Sequence, residues 1–255
     1  MTNELKDIHV VVTGGARGIG AAIADRLNTL GVRLTLMGRQ VDPLQKKCAE
    51  LRQAQPIAVD VTQEAAVADA FAKAREKFGP VGILVNNAGA ASSGPLERLA
   101  LKDWQAMLDV NLTSVFLCSR AVLPDMRTAR WGRIINVSST AGLKGYAYVT
   151  AYCAAKHGTV GLTRALAMET AHTGITVNAV CPGYTNTELL DGALEKIMAK
   201  TGMDRATAVK QLQAVNPQQR FIEPVEVAAT VAWLCLPGSE SITGQAIAIA
   251  GGEVM

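Results

Sequence analysis

The chain has 255 residues, of which 49% are hydrophobic and 18% are charged, enough apolar material to bury a large core within one α/β domain. Its formal net charge of +3 is too small to indicate nucleic-acid binding, and no stretch combines clustered Lys and Arg with aromatic side chains. The five cysteines are widely scattered without CxxC spacing, which argues against a disulfide framework and against a zinc site.

The N-terminal residues 1–7 are polar and lead directly into a segment with the character of a strand. No uninterrupted apolar run approaches the roughly 20 residues that are needed to span a bilayer. From these two features we expect a soluble, cytoplasmic protein with no membrane partner. Together with the low net charge and the scattered cysteines, the sequence predicts no nucleic-acid partner and no metal.

Short apolar runs then alternate with longer segments of helical periodicity. The predicted strands are residues 8–13, 33–37, 57–59, 83–85, 133–137, 176–180 and 246–249. The predicted crossover helices are residues 20–30, 63–78, 102–126, 151–171 and 224–236. Because no linker divides the chain, we expect a single α/β domain over residues 1–255. The alternation of strand and helix predicts a doubly wound parallel sheet of about seven strands with helices on both faces.

Residues 187–220 interrupt this alternation, because they carry two helical patterns, 189–201 and 204–215, where a minimal α/β fold would proceed to its next helix. Open α/β sheets bind ligands in the loops beyond the carboxyl ends of their strands. We therefore expect a small helical substrate cap that closes over a ligand. A surface decoration or a subunit contact is the alternative.

The segment from Thr13 to Gly20 follows the first strand and opens the first helix, where backbone N–H groups and a helix N-terminus can hold a pyrophosphate. Gly14, Gly18 and Gly20 are the glycines that such a turn requires. Their spacing differs from the common GxGxxG fingerprint, and no GxxxxGK[ST] motif is present, so a nucleoside triphosphate site is not predicted.

The second strand ends near Arg39, about 20 residues after the glycine loop, where a carboxylate would accept hydrogen bonds from a free adenosine ribose. Arg39 instead offers a planar cation that suits a 2′-phosphate, and Arg17 in the glycine loop adds a second. The sequence therefore predicts that NADP(H) is preferred, with NAD(H) as the alternative if Arg39 stacks on adenine or points to solvent.

Tyr152 and Lys156 are four residues apart, so an α-helix brings both side chains onto one face. An ammonium held beside a phenol favours the phenolate and brings its pKa closer to neutrality. Tyr152 is thus a candidate proton donor, and Lys156 is the residue that would lower its pKa. The alternative is that both residues lie on an ordinary solvated helix face. The one nearby residue that could activate Cys153 as a nucleophile is His157, and we interpret Cys153 as structural.

Several motifs in chain order resemble those of the classical short-chain dehydrogenase/reductase family, and the resemblance covers essentially the whole chain. Residues 13–20 resemble its TGxxxGxG loop, 60–61 its Asp-Val pair, 86–89 its NNAG segment and 182–183 its Pro-Gly turn. Asn111, Ser139, Tyr152 and Lys156 match its active-site Asn, Ser and YxxxK residues. The resemblance implies a Rossmann-type sheet, a nicotinamide cofactor, a homotetramer and reversible carbonyl reduction without a metal.

The resemblance also assigns roles to the matching residues. Tyr152 supplies a proton to the substrate, and Ser139 holds the carbonyl oxygen. Lys156 binds the nicotinamide ribose and biases Tyr152 towards ionisation, while Asn111 anchors a water. Ser138 is the rival of Ser139 and is interpreted as a supporting donor. The implied cofactor contacts are Gly14, Arg17, Gly18, Ile19, Gly20, Arg39, Asp60, Val61, Asn87, Ala88, Gly89, Tyr152, Lys156, Pro182, Gly183, Thr185 and Thr187. Thr185 departs from the Ile or Val that the family often carries there.

Three functions stay open from the sequence. The first is an NADPH-dependent reductase of 3-oxoacyl thioesters or a similar ketone, the second a secondary- or cyclic-alcohol dehydrogenase acting on a free small molecule, and the third a dinucleotide-binding protein without turnover. The cap would supply apolar walls from Leu189, Leu190, Leu194, Ile197, Met198 and Met203, and the alternative is that these residues only pack within the protein. It would supply cations for the phosphates of CoA or an acyl carrier from Lys196, Lys200, Arg205 and Lys210.

Overall fold

The computed structural model describes residues 5–255, so the first four residues of the polar N-terminal segment lie outside the described residues. Its strands are β1 His9–Thr13, β2 Arg33–Gly38, β3 Ala54–Ala58, β4 Ile83–Asn86, β5 Gly132–Val137, β6 Ile175–Pro182 and β7 Ala246–Ile249. They form one sheet in the order β3-β2-β1-β4-β5-β6-β7, and every neighbouring pair is parallel. The predicted doubly wound, seven-stranded α/β architecture is confirmed.

Helices connect the strands and cover both faces of the sheet. They are α1 Gly18–Asn28, α2 Val41–Ala49, α3 Glu64–Phe78, α4 Leu101–Leu108, α5 Ser114–Ala129, α6 Thr150–Thr170, α7 Glu188–Thr201, α8 Arg205–Gln213 and α9 Pro224–Cys235. Sequence periodicity did not predict α2, because this short helix buries only Leu44 and has Pro43 in its first turn, where proline is tolerated. The third strand begins three residues before its predicted start, since only its later part is continuously apolar.

Two apolar layers sandwich the sheet. On one face, α1 and α9 pack together and bury Ile23, Leu27, Val227 and Val231 against the strands. On the other face, α3, α5 and α6 contribute a second buried cluster that includes Phe71. Strands buried on both sides read as continuous apolar runs, which is why they could be located from the sequence.

The strand order reverses at β1, which lies between β2 and β4. The crossover helices on either side of this point leave in opposite directions, so the carboxyl ends of β1 and β4 open onto a crevice. The glycine loop follows β1 and the Asn86–Gly89 segment begins at the end of β4. The fold thereby brings together the two motifs that the sequence singled out as cofactor contacts.

Residues 101–129 form a helical stretch that is long and apolar enough to cross a membrane by length and composition, with a mean hydropathy of 1.4 in its best window. This stretch is not an uninterrupted apolar run, so it leaves the expectation about such runs unchanged. The predicted single helix 102–126 is in fact α4, a π-helical turn at Asp109–Thr113, and α5. Val122 and Met126 of α5 pack into the core, and this explains the apolar composition.

Candidate active site

A cleft at the carboxyl ends of the central strands brings together most of the predicted site residues. Its lining consists of Gly14, Arg17, Gly18, Ile19, Asn87, Ala88, Gly89, Ala90, Asn111, Val137, Ser138, Tyr152, Lys156, Thr187, Glu188 and Leu189. The remaining predicted residues lie outside this lining, at the last residue of β6 or on the segments that follow β1, β2, β3, β5 and β6. They are Gly20, Arg39, Asp60, Val61, Ser139, Pro182, Gly183 and Thr185.

The glycine loop needs its glycines for two different reasons. Gly14 and Gly18 have φ angles of 63° and 50°, in the left-handed region that other residues rarely adopt. Gly20 has a steric reason instead, since a Cβ built there would lie 2.1 Å from the carbonyl oxygen of Gly14. The first turn of α1 therefore packs directly against the loop, and its N–H groups can approach a ligand closely.

Hydrogen bonds fix this loop to the segment after β4. The Thr13 hydroxyl oxygen accepts from the backbone N–H groups of Asn87 and Ala88, both at 3.0 Å. In return, the Asn87 side-chain amide donates to the carbonyl oxygens of Thr13 at 2.9 Å and Gly14 at 3.0 Å. The Asn87 side chain thus acts as a structural clamp that holds the two halves of the cofactor crevice in register.

The N-terminus of α1 fits an anionic group. Arg17 occupies the N-cap position without a side-chain cap, and the first turn of the helix carries no acidic residue. Uncapped N–H groups and the positive end of the helix dipole favour a phosphate at this position. The residues present therefore match the pyrophosphate of a dinucleotide.

Arg17 and Arg39 lie on the segments that follow β1 and β2, and their contact with an adenosine ribose stays a prediction. Arg39 is exposed immediately after β2. The Arg17 guanidinium donates to Glu188 Oε2 at 3.1 Å and to Gln40 Oε1 at 3.3 Å. Glu188 begins α7, so this ion pair connects the glycine loop to the helical cap.

Asp60 and Val61 follow β3 at the far end of the crevice. The backbone N–H and hydroxyl of Thr62 donate to Asp60 Oδ1 and hold the pKa of this carboxyl below its usual range. Val61 is buried in the core next to α3, with 6% of its surface exposed. Asp60 is consequently a fixed, ionised acceptor at the surface.

Tyr152 and Lys156 lie one turn apart on α6 and both face the cleft. The Lys156 ammonium donates to the carbonyl oxygen of Val137 at 2.8 Å and lies 5.6 Å from the centroid of the Tyr152 ring. Lys156 is 5% exposed. Because burial disfavours the charged form, the pKa of Lys156 falls to about 8.

The pKa of Tyr152 moves in the direction opposite to the one expected from the sequence. Burial raises the pKa of this phenol to about 12, and the Ser139 hydroxyl acts against that rise. Desolvation of the phenolate is the main cause of this rise, and the influence of Lys156 on the ionisation of Tyr152 stays a prediction. Tyr152 is therefore held in its protonated form, the form that can give a proton to a substrate.

Ser138 and Ser139 have different surroundings after β5. Ser138 is buried, and its hydroxyl donates to the carbonyl oxygen of Lys156 at 3.1 Å, which fixes the end of the strand to α6. Ser139 is half-buried and begins a short 3-10 turn, Thr140–Gly142, where its Oγ accepts from the Ala141 N–H at 3.1 Å. Its hydroxyl is hydrogen-bonded to the phenol of Tyr152, which brings the two side chains together at the cleft.

Asn111 lies in the π-helical turn between α4 and α5 and is fully buried. Its side-chain amide donates to the carbonyl oxygens of Ala90 and Met107, at 2.9 and 3.0 Å, and its backbone carbonyl accepts from the Thr159 hydroxyl at 2.9 Å. A π-turn widens the helix and is common at functional sites. In this protein the π-turn connects Asn111 to α6 at a point next to Gly89.

The segment after β6 leads from the sheet into the cap. The N–H of Gly183 donates to the carbonyl oxygen of Ile249 at 3.0 Å. Thr185 is 7% exposed, and its hydroxyl donates to the carbonyl oxygen of Gly183 at 3.0 Å. The departure from Ile or Val is accommodated inside the turn, because the extra hydroxyl has its partner there. Thr187 packs its methyl group beside Gly18.

Comparisons with known proteins identify the family to which these motifs belong. The family described as short chain dehydrogenase matches residues 8–198. This chain belongs to that family. A protein assigned as a ketoacyl reductase of the granaticin polyketide synthase of Streptomyces violaceoruber is 39% identical over 95% of this chain and 91% of that protein. An acetoacetyl-CoA reductase of Rhizobium meliloti is 38% identical over 95% and 97%, respectively.

Two further comparisons extend this family assignment. A D-beta-hydroxybutyrate dehydrogenase of Cupriavidus necator is 36% identical over 96% of both proteins. A crystal structure of a variant of actinorhodin polyketide ketoreductase with NADPH superposes with a TM-score of 0.94 at 37% identity, and covers 99% of this chain and 98% of that one. The chain is therefore an oxidoreductase with the fold of a ketoreductase.

The cap of this dehydrogenase differs in part from the expected apolar wall. Leu190 and Leu194 are buried between α7 and α8, where they pack against Ala208. Leu189 is 54% exposed and lines the cleft. For Leu190 and Leu194 the packing alternative therefore holds, since helical periodicity shows which residues share a face but not which partner that face meets.

Three residues that line the cleft were missed from the sequence. They are Ala90, Val137 and Glu188, with Leu189 having been named only as part of the cap. Val137 contributes the carbonyl oxygen that Lys156 binds, and a backbone contact leaves no signal in a side-chain motif. Of the missed residues, only Glu188 could have been predicted from the sequence, because it directly follows Thr187, which was a predicted cofactor contact.

Proposed function

We propose that this short-chain dehydrogenase transfers hydride reversibly between a nicotinamide dinucleotide and a ketone or secondary alcohol, and that NADPH-dependent reduction of a 3-oxoacyl thioester or similar ketone is its principal reaction. One observation carries the proposal. A protonated, half-buried Tyr152 shares a cleft with Lys156 and Asn111, and the same cleft contains an uncapped helix N-terminus that suits a pyrophosphate.

The chain's own residues account for the proton and the developing charge. Bound NADPH supplies a hydride to the carbonyl carbon, which leaves negative charge on the oxygen. Tyr152 donates its proton to that oxygen, and Ser139 donates a hydrogen bond to it. Lys156 would hold the nicotinamide ribose, while Asn111 would hold a water that connects Lys156 to solvent. The cradle at Gly14, Gly18 and the start of α1 would hold the pyrophosphate.

The reaction should have a pH limit set by Lys156. Its pKa is about 8, whereas Tyr152 stays protonated up to about pH 12. We therefore expect kcat/KM for ketone reduction to be level below pH 8 and to fall above it, as Lys156 loses its proton and charge. The measurement is the pH profile of kcat/KM, which reports groups of the free enzyme. A level profile until the tyrosine titrates would contradict the assignment.

The proposed NADP(H) preference rests on Arg39 and Arg17. A charged hydrogen-bonding pair contributes about 1.5–3 kcal/mol, so Arg39→Ser should lower kcat/KM with NADPH by roughly 10- to 100-fold and leave kcat/KM with NADH nearly unchanged. Arg52→Ser is the matched control, because Arg52 is an exposed cation at the opposite end of the sheet, before β3. Equal or better use of NADH by the unaltered protein would overturn the preference.

The thioester assignment is supported by relatives with the names ketoacyl reductase and acetoacetyl-CoA reductase. The cap adds two features that suit a thioester. It carries exposed cations, of which Arg205 is paired with Asp191, and it places the exposed Leu189 at the cleft. The experiment is NADPH oxidation with acetoacetyl-CoA beside simple aryl and cyclic ketones. We expect faster turnover of the thioester, and activity confined to the free ketones would overturn the assignment.

A second candidate function is the oxidation or reduction of a free small molecule, as in a secondary- or cyclic-alcohol dehydrogenase. The relatives named D-beta-hydroxybutyrate dehydrogenase favour it, because their name indicates a substrate without a thioester. Family resemblance also supports a single catalytic domain over the whole chain, a homotetramer and a cytoplasmic location, which we include in the proposal.

A further inference from the structure

A buried carboxylate lies next to the active-site cleft and has no role in the chemistry described above. Glu253 belongs to the segment after β7, and its side chain is only 2% exposed. Burial of a carboxylate is costly unless the charge is paired and hydrogen-bonded. Lys144 supplies the pairing, with its Nζ 3.2 Å from Glu253 Oε1 and 3.4 Å from the backbone carbonyl oxygen of Glu253.

Tyr146 provides the second partner of this carboxylate. Its hydroxyl is hydrogen-bonded to Glu253 Oε1 and also lies 2.7 Å from Thr140 Oγ1. A phenol has one proton and an ionised carboxylate only accepts, so Tyr146 donates to Glu253 and the Thr140 hydroxyl donates to Tyr146. The three side chains form a continuous relay of hydrogen bonds from Glu253 to Thr140.

The position of this relay connects it to the reaction. Thr140 directly follows Ser139 and opens the 3-10 turn that Ser139 begins. Lys144 and Tyr146 belong to the loop between that turn and α6. On its other side the carboxylate meets the turn after β6, because a Cβ built on Gly183 would lie 3.1 Å from Glu253 Oε2. Glu253 therefore contacts both loops that leave the sheet beside the cleft.

We infer that Glu253 is a positioning residue for ketone reduction: through Lys144 and Tyr146 it holds the 140–146 loop against the turn at Gly183 and so keeps Ser139 beside Tyr152. The inference rests on the proposed function for its catalytic consequence. It assigns a specific reason for a carboxylate to be buried here, since a loop that carries a reacting donor must keep its geometry within a fraction of an ångström.

The first test compares Glu253→Gln and Tyr146→Phe with a control. Displacement of a reacting group by about 1 Å can cost up to roughly 100-fold, so both variants should lower kcat for ketone reduction about 10- to 100-fold while the Kd for NADPH stays unchanged. Their effects should not add in the double variant, because both break the same relay. Tyr146→Phe keeps the ring and guards against a folding defect in Glu253→Gln.

Glu240→Gln is the matched control. It removes a carboxylate that pairs with the buried Arg133 at 3.7 Å, at the amino end of β5 and away from the cleft. This variant should lose stability but keep its kcat. Wild-type kcat in both Glu253→Gln and Tyr146→Phe would overturn the inference.

A second readout is independent of the substrate. The N–H groups of Gly142, Leu143 and Lys144 donate within the turn after Ser139, and their hydrogen exchange should be faster in Glu253→Gln than in the wild type or in Glu240→Gln. If the wild type reduces no ketone, the proposed function fails and this exchange measurement decides whether Glu253 holds the loop. Equal exchange in all three proteins would overturn the positioning role.

Discussion

Tyr152→Phe is expected to lower kcat for ketone reduction by roughly 10²- to 10⁴-fold, the usual contribution of a positioned acid. The ring and its packing on α6 stay in place, whereas the one hydroxyl that is held protonated in the cleft is lost. The Kd for NADPH should be unchanged, because the cradle for the pyrophosphate is formed by backbone of the glycine loop. Steady-state kinetics together with a cofactor-binding titration measure both quantities.

Tyr148→Phe is the control for this substitution. Tyr148 precedes α6 and is 65% exposed, so removal of its hydroxyl should leave kcat near the wild-type value. Near-normal turnover by Tyr152→Phe would contradict its assignment as the proton donor. A loss of the same size in both variants would show that a general change in the loop, rather than loss of the acid, lowers the rate.

Gly20→Ala should weaken cofactor binding strongly, even though the change adds a single methyl group. That methyl would lie 2.1 Å from the carbonyl oxygen of Gly14 and 2.6 Å from the side-chain amide of Asn87. Gly14 cannot yield freely, because its N–H donates to Met37 and its carbonyl accepts from Asn87. We expect a loss of unfolding free energy of about 1–3 kcal/mol.

The same shift would displace the N–H groups that face the pyrophosphate. Loss of one charged hydrogen bond costs about 1.5–3 kcal/mol, which raises the Kd for NADPH roughly 10- to 100-fold. Gly161→Ala is the matched control, since no atom lies within 4 Å of a Cβ built at this helical position. It should bind NADPH normally and change stability by about 1 kcal/mol or less. Normal binding by Gly20→Ala would contradict the described loop geometry.

The sequence was a reliable guide where one local pattern determines one structure. Continuous apolar runs located the buried strands β1, β2, β4, β5 and β6, since parallel strands buried on both faces leave that pattern, whereas the first half of the edge strand β3 was missed. The four-residue spacing of Tyr152 and Lys156 correctly placed them on one helix, and the position of Thr13–Gly20 between strand and helix correctly placed the loop at the crevice. These features depend on neighbours in the chain, which the sequence shows directly.

The features that the sequence did not reveal depend on contacts between distant segments. The pKa of Tyr152 follows from how deeply α6 is buried, and spacing carries no information on burial. Leu190 and Leu194 meet α8 instead of a ligand, because the cap has a small apolar cluster of its own. Glu253 reaches Tyr146 across 107 positions of the chain, and no motif links the two.

Transfer of labelled hydride tests the central claim most directly. NADPH carrying deuterium at the transferable position of its nicotinamide is mixed with acetoacetyl-CoA and the protein, and the product is weighed by mass spectrometry. The proposed reaction forms a carbon–deuterium bond at the former carbonyl carbon, while the oxygen takes its proton from Tyr152. We predict 3-hydroxybutyryl-CoA that carries one deuterium for each NADPH consumed. Unlabelled product, or no product while NADPH binds normally, would contradict the account.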